Sequence, residues 1–196
     1  MTGAALWFTG LPGSGKSAVA TAVRDALAAR GRPVVLLSLD TRRKAYFPNP
    51  TYSTAEREQA YARFAAEAAE IAASGALVLM DASAPKRAMR EAARNRIPRF
   101  AEVHVRCTLA TAMTREAARP EGLVMAGLYA KAMKRKATGQ HFPGLGQVIG
   151  VDVPYEENPA AECVVDAEHL SVEQGRDVVL DFLERWEQRG LRRPGA

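Results

Sequence analysis

Two periodicities alternate along the chain. Short, continuous apolar runs occur at Ala4-Ala5-Leu6-Trp7-Phe8-Thr9, Val34-Val35-Leu36-Leu37, Leu77-Val78-Leu79-Met80-Asp81, Val103-His104-Val105-Arg106-Cys107 and Cys163-Val164-Val165-Asp166. Runs that are apolar on both faces suit strands buried within a parallel sheet. Between them the period changes to that of helices. Val19, Ala22, Val23, Ala26 and Leu27 predict a helix from Ser17 to Arg30, ended by Gly31. Ser53 or Thr54 caps a long helix to about Ser74, with Glu56 in its first turn and an inner stripe of Tyr61, Phe64, Ala65, Ala68 and Ala72; Gly75 ends it. A basic helix follows Pro85 through Arg87, Arg90, Arg94 and Arg96, and Leu109 to Ala118 reads as another. The last helix, about Val172 to Gln188, turns Val178, Val179, Phe182, Leu183 and Trp186 inward, and Gly190 is placed to stop it.

Three stretches carry no such pattern. Residues 41–53, with Arg42, Arg43 and Lys44 before Pro48-Asn49-Pro50, read as a loop. Residues 119–154 are rich in glycine and proline and read as a lid with a short helix near Tyr129 to Lys136. Residues 191–196 are expected to be a disordered tail. Strands alternating with helices predict an α/β fold, a parallel sheet covered on both faces, in a single domain over residues 1–196. In such sheets the site lies at the carboxyl ends of the strands. The first glycine-rich turn, Asp40, Asp81 and Arg106 all fall there.

That turn is Gly10-Leu11-Pro12-Gly13-Ser14-Gly15-Lys16-Ser17, which satisfies G-x-x-x-x-G-K-[ST] between a predicted strand and a predicted helix. Gly13 and Gly15 let the backbone curl around a phosphate and present its N–H groups. The helix that begins there adds its positive dipole end. Lys16 can reach the β- and γ-phosphates, and the Ser17 hydroxyl can ligate Mg²⁺. The motif in this context predicts binding of a nucleoside triphosphate.

Composition changes this picture little. The 196 residues are 47% hydrophobic and 25% charged, as in ordinary globular domains. No apolar run approaches the ~20 residues of a membrane span, and the chain enters its first strand at once, so a cytoplasmic location without signal peptide is expected. The two cysteines, Cys107 and Cys163, sit in strand-like runs and read as buried free thiols. A net charge of +5 permits nucleic-acid binding and equally suits a pocket for two phosphorylated ligands. No zinc-spaced Cys/His cluster and no nucleophilic triad is present in the sequence. His104, between Val103 and Val105, reads as structural.

Phosphoryl transfer to a hydroxyl requires charge neutralisation, a positioned acceptor and a carboxylate for the acceptor's proton. Asp40, closing the second strand, is the candidate base, with Arg43 beside it to hold an anionic acceptor; a turn or cap role is the other reading of Asp40. Asp81, ending the third strand, reads either as a carboxylate holding Mg²⁺ through water or as a cap. Arg57 suits an acceptor anion or a solvated helix surface. Arg115, Arg119 and Lys131 flank the lid, as phosphate-closing cations or as surface charge.

Several stretches together resemble the adenylylsulfate (APS) kinase family, from about Leu6 to Glu173. Trp7 to Ser17 looks like that family's opening, and Asp40-Thr41-Arg42-Arg43 is similar to the end of its D-G-D-x-x-R motif. Ser53 to Arg57 resembles its F-S-x-x-D-R helix start, and Pro85-Lys86-Arg87 with Arg90-Glu91 its S-P-[FY]-R-x-x-R-E. Gly127-Leu128-Tyr129-Ala130-Lys131-Ala132 and Gly150-Val151-Asp152-Val153-Pro154-Tyr155-Glu156 match its G-L-Y-x-K-A and G-x-D-x-P-Y-E. The resemblance implies a three-layer P-loop kinase fold with a five-stranded sheet in the order 2-3-1-4-5 and a lid. It implies ATP with Mg²⁺ as donor and the 3′-hydroxyl of adenylylsulfate as acceptor, giving 3′-phosphoadenylylsulfate in sulfate assimilation. ATP would meet Leu11, Pro12, Gly13, Ser14, Gly15, Lys16, Ser17, Ala18 and Arg115. The acceptor would meet Asp40, Arg43, Tyr52, Arg57, Arg87 and Lys131, with Tyr52 stacking its adenine. Lys16, Asp40 and Arg43 are then the catalytic set; Ser17 is the metal ligand of the turn, joined by Asp81 on the reading of its strand-end position. No nucleic-acid or membrane partner is implied; a homodimer is compatible.

Departures from the family pattern gather at the acceptor side. Ser38 and Leu39 replace the first Asp and the Gly of D-G-D, Ala60 stands at an Asn position, Ala84 at a serine and Val148 at a lid aromatic. Asp81 stands where the family has a small polar residue, and the connection from Arg115 to Gly127 is several residues longer. These edits leave a second kinase reading open, with a different anionic acceptor. A non-catalytic ATP-binding domain and a nucleic-acid binder are the rivals from other classes.

Overall fold

The computed structural model describes residues 3–50, 53–119 and 126–191. Its strands, numbered along the chain, are β1 (Ala4–Thr9), β2 (Val34–Ser38), β3 (Leu77–Asp81), β4 (Phe100–Arg106) and β5 (Cys163–Asp166). Its helices are α1 (Lys16–Ala29), α2 (Leu39–Tyr46), α3 (Thr54–Ala73), α4 (Arg87–Arg94), α5 (Leu109–Ala117), α6 (Leu128–Thr138) and α7 (Val172–Leu191).

β1 takes the centre of the sheet because its sequence is apolar in both directions. Leu6 and Phe8 point to one face, Ala5 and Trp7 to the other, and all four are fully buried. It pairs in parallel with β3 and β4, while β2 joins β3 and β5 joins β4, which gives the order 2-3-1-4-5. On the first face α1 and α7 bring Val19, Val23, Val179 and Leu183 against Leu6, Phe8, Leu79 and Val103. On the second, α3 and α4 bring Tyr61, Phe64 and Ala93 against Trp7, Val78 and Met80. The Trp7 ring meets Phe64 and Phe100 edge-on at 5.8 and 6.2 Å, and its indole N–H donates to the Ala82 carbonyl at 3.1 Å. This is the three-layer α/β sandwich that the chain's alternation predicted.

Local signals set the helix ends. The Ser53 hydroxyl accepts from Glu56 N–H at 3.2 Å, and the Thr108 hydroxyl from Thr111 N–H at 3.2 Å, as capping residues do. The Glu116 carboxylate accepts from Leu128 and Tyr129 N–H and so caps α6 from a different helix. Residues 142–151 fold back on α6 and α5, where Tyr129, Ala132, Leu145 and Val148 form a small core of their own.

Four expectations are corrected. Residues 41–46 form most of α2 rather than a loop. Only Leu39 of this helix is buried, so it has no apolar stripe; Arg42 and Tyr46 instead bind Glu67 of α3. β4 begins at Phe100, because Glu102 interrupts an apolar run yet is fully buried. α7 continues through Gly190 to Leu191. Cys107 follows β4 half-exposed, whereas Cys163 is buried; both are free thiols. Tyr52 and residues 192–196 lie outside the described residues. Among the described residues no helix is long and apolar enough to cross a membrane.

One polar cluster lies inside the second layer. Glu102 and Arg90 are both fully buried, with Nε and Oε1 3.2 Å apart. Glu102 also accepts from the Thr9 hydroxyl at 2.9 Å and from Asn158 Nδ2 at 2.8 Å. Arg90 donates to the carbonyls of Ala84 and Glu156 and lies over the Tyr155 ring. Tyr155 in turn donates to the Thr9 hydroxyl at 3.0 Å. A buried charge is tolerated when it is paired in this way, although Arg90 Nε meets Glu102 only as an ion pair, without a hydrogen bond among the described residues.

Candidate active site

The glycine-rich turn leaves β1 at Gly10 and enters α1 at Lys16. Gly13 has a φ of 86°, and a Cβ there would stand 2.3 Å from the Ala112 carbonyl oxygen, so the turn is pressed against α5. Gly15, at φ 96°, is the N-cap of α1, and no side chain caps that end. The first N–H groups of α1 are therefore available to an anion. Lys16 and Ser17 follow at once and line a cavity of about 520 Å³. Ser14 is fully buried, and its hydroxyl has no hydrogen-bond partner among the described residues.

The cavity runs from this turn across the ends of β2 and β3. Its walls include Asp40 and Arg43 of α2, Arg57 and Tyr61 of α3, Asp81 at the end of β3 with Ala82 and Ser83 after it, and Leu145 to Ile149. Parallel register explains the convergence. Phe8, Asp81 and Ser38 are partners across β1, β3 and β2, so the segments that follow them emerge side by side. Asp40 is exposed, on the first turn of α2. Arg43 sits 3.7 Å from the Glu56 carboxylate, which is 7% exposed. Arg57 donates from Nη2 to the Gln147 carbonyl at 2.5 Å. Its Nη1 is buried without a hydrogen-bond partner among the described residues, and burial pushes its pKa down.

Asp81 is 9% exposed. Burial raises its pKa, and neighbouring Asp40 raises it further; Lys16 and a hydrogen bond with Ser17 oppose the shift. Its Oδ1 is buried and has no hydrogen-bond partner among the described residues. An orphaned anionic oxygen beside a lysine and a serine is chemically suited to a cation.

Of the residues singled out from the sequence, Pro12, Gly13, Gly15, Lys16, Ser17, Asp40, Arg43, Arg57, Asp81 and Arg119 share this one cavity. Others stand elsewhere. Arg115 lies behind the turn, bonded to the carbonyls of Ser14 at 3.4 Å and Ala167 at 2.7 Å. Leu11 packs with Tyr129 and Val148 in the small third core. Ser14 and Ala18 do not line the cavity, and neither do Arg87 and Lys131; Arg87 is exposed on the first turn of α4. Arg106 is exposed at the end of β4 and pairs with Asp166 at 2.9 Å. Tyr52 lies outside the described residues. Ala60 is buried in the second-layer core, while Val148 faces the cavity. Sequence reasoning missed Lys44, Phe47, Tyr61 and Gln147 as lining residues. For Lys44 the signal lay one residue past Arg43; for Gln147, only the fold supplies it.

A phosphate-binding turn on the central strand, facing a carboxylate and arginines from the next two elements across one cavity, defines a P-loop kinase that acts on a small molecule. The profile of the adenylylsulphate kinase family matches residues 2–166. The adenylyl-sulfate kinase of Geotalea uraniireducens is 33% identical over 182 residues, 92% of this chain and 80% of that protein. That of Deinococcus deserti is 34% identical over 184 residues, 93% of this chain and 92% of that protein. Among solved structures, the Mycobacterium tuberculosis APS kinase CysC in complex with AMPPNP and APS superposes with a TM-score of 0.77 at 29% identity, covering 93% of this chain and 98% of that one. The chain belongs to the adenylylsulfate kinase family.

Proposed function

We propose that the chain transfers the γ-phosphoryl group of ATP to the 3′-hydroxyl of adenylylsulfate, producing 3′-phosphoadenylylsulfate and ADP. The observation that carries this reading is the single cavity joining Lys16 and Ser17 to Asp40, Arg43 and Arg57. Backbone N–H groups from Gly13 to Ser17 cradle the phosphates, and Lys16 holds the charge that develops on the transferred group. Asp40, on the first turn of α2, accepts the proton of the acceptor hydroxyl as the new P–O bond forms. Arg43, fixed by Glu56, and Arg57, with its unpartnered Nη1, hold the acceptor's anionic end. Leu145 and Val148 supply an apolar wall for a flat ring. Mg²⁺, when bound, would neutralise phosphate charge, and the Ser17 hydroxyl would hold it. Arg115 acts on ATP through the turn it braces, whereas Lys131 and Arg87 lie outside the cavity. The reading carries with it a cytoplasmic role in sulfate assimilation.

The test is ADP release with ATP and Mg²⁺, comparing adenylylsulfate with no acceptor and with a panel of nucleotides and hydroxylated anions. Acceptor-dependent turnover with adenylylsulfate is expected. Turnover with a different anion alone would favour the second reading, a changed acceptor. The observation behind that reading is Val148, an aliphatic wall where the family pattern has an aromatic.

A further inference from the structure

Tyr61 lines the cavity, and its surroundings give it more than a packing role. The side chain is 5% exposed, and its ring lies 6.2 Å from that of Trp7 in the second-layer core. Its hydroxyl oxygen accepts from the Ala84 N–H at 3.0 Å. A phenol also has one proton to give, and among the described residues that proton meets no acceptor. Burial pushes the pKa up to about 12, so the proton is present at neutral pH. Ala84 holds the hydroxyl in place. With φ at 46° it is the one non-glycine residue at positive φ among those described, and Arg90 donates to its carbonyl at 2.6 Å. Backbone in that region persists only where its surroundings over-determine it. The hydroxyl is therefore fixed by a segment braced on both sides.

The charged groups that face Tyr61 are Arg57, Arg43 and Asp40. Arg57 precedes it by one helical turn, so both side chains leave the same face of α3, while Arg43 comes from α2. Arg57 Nη1 is buried and has no hydrogen-bond partner among the described residues. Two guanidinium groups and a phenol proton thus border one volume from two helices. A carboxylate offers two oxygens in a plane. A sulfuryl or phosphoryl group offers three in a pyramid and can use donors from more than one direction.

We infer that Tyr61 is a specificity-determining donor: its hydroxyl hydrogen-bonds an oxygen of a tetrahedral oxyanion, sulfuryl or phosphoryl, held by Arg43 and Arg57, and so favours that anion over a carboxylate. The inference rests on the proposed function in taking these two arginines as the site of the acceptor's anionic end.

The experiment is calorimetric titration of the full chain with sulfate, inorganic phosphate and acetate, its phosphate turn first filled with AMPPNP and Mg²⁺. Wild type should bind sulfate or phosphate more tightly than acetate, and the comparison of the two tells a sulfuryl from a phosphoryl site. Tyr61→Phe should lose about tenfold or more in affinity for the preferred anion, the scale of a hydrogen bond to a charged group, with acetate unchanged. Tyr61→Met, which also lacks the hydroxyl, should do the same. Both variants deprive the Ala84 N–H of its partner, and a loosened wall would weaken every anion alike. An equal loss for acetate and the oxyanions would therefore overturn the inference and leave Tyr61 a packing residue. So would an unchanged preference in the variants, or equal affinities in wild type, undetectable binding included. Nothing turns over in this titration. A chain inactive with adenylylsulfate can still show the preference, and an active one can lack it, so the two readings fail separately.

Discussion

Two buried carboxylates on the strands that flank β1 have opposite surroundings. Glu102 is wholly enclosed and meets Arg90, Thr9 and Asn158, so both of its oxygens are engaged. Asp81, 9% exposed, keeps one oxygen without a partner among the described residues, at the wall of the cavity. Both sit on strands that neighbour β1. One is closed by the fold; the other is left for a ligand. The difference shows how a structural charge can be told from a functional one: not by burial, which both share, but by whether the chain supplies the partner.

The largest effect that would break this comparison lies on the closed side. Arg90→Met leaves Glu102 buried without its cation and should lower the unfolding free energy by about 3–5 kcal/mol in urea titration. A loss below about 1 kcal/mol, the scale of an exposed pair, would mean that the cluster holds nothing. On the open side the effects should be kinetic. Lys16→Ala should cost at least ~10²-fold in turnover through lost stabilisation of the transferred group, with the melting temperature nearly unmoved. Asp40→Asn should leave ADP affinity intact and cut turnover by ~10²-fold or more, as loss of a proton acceptor does; unchanged turnover would remove Asp40 from its role.

A smaller effect sharpens the contrast at Asp81 itself. Burial raises its pKa in the folded chain, so its stability contribution is present below the ordinary carboxylate range and lost as pH rises through the raised value. At neutral pH without metal, Asp81→Ser should therefore stabilise the protein by roughly 1 kcal/mol, the scale of one relieved buried polar group. The gain should vanish in acid, and thermal melts at pH 7 and pH 4 would show it. The smallest effect concerns His104, which stacks on Tyr155 at 5.3 Å with Glu157, Glu102, Arg90 and Arg106 nearby. Burial lowers its pKa from 6.5, so stability should decline as pH falls below that value, and His104→Gln should blunt the decline.

What the sequence disclosed and what it hid divide along similar lines. The five strands were legible because buried parallel strands are apolar on both faces, and the nucleotide turn because it is contiguous; the sheet order came only with the resemblance to the adenylylsulfate kinase family. α2 was not legible: Thr41-Arg42-Arg43-Lys44-Ala45-Tyr46 carries no apolar stripe, and the helix is held by side-chain bonds to Glu67. The start of β4 was hidden by Glu102, whose partners Thr9 and Asn158 lie 93 and 56 positions away. Local motifs located Lys16, Ser17, Asp40 and Arg43 in the cavity. They could not show that Arg115 braces the turn from behind, that Arg87 faces outward, or that Gln147 folds back over Arg57.

That last contact makes one guanidinium a shared joint. Arg57 spends Nη2 on the Gln147 carbonyl, which belongs to the segment covering the cavity, and holds Nη1 in reserve. An anion seated on Nη1 would stiffen the same side chain that grips the cover. By reciprocity, a closed cover would tighten the anion by the same factor. Substrate capture and enclosure would then be a single equilibrium rather than two successive events, and an acceptor lacking its anion would forfeit both together.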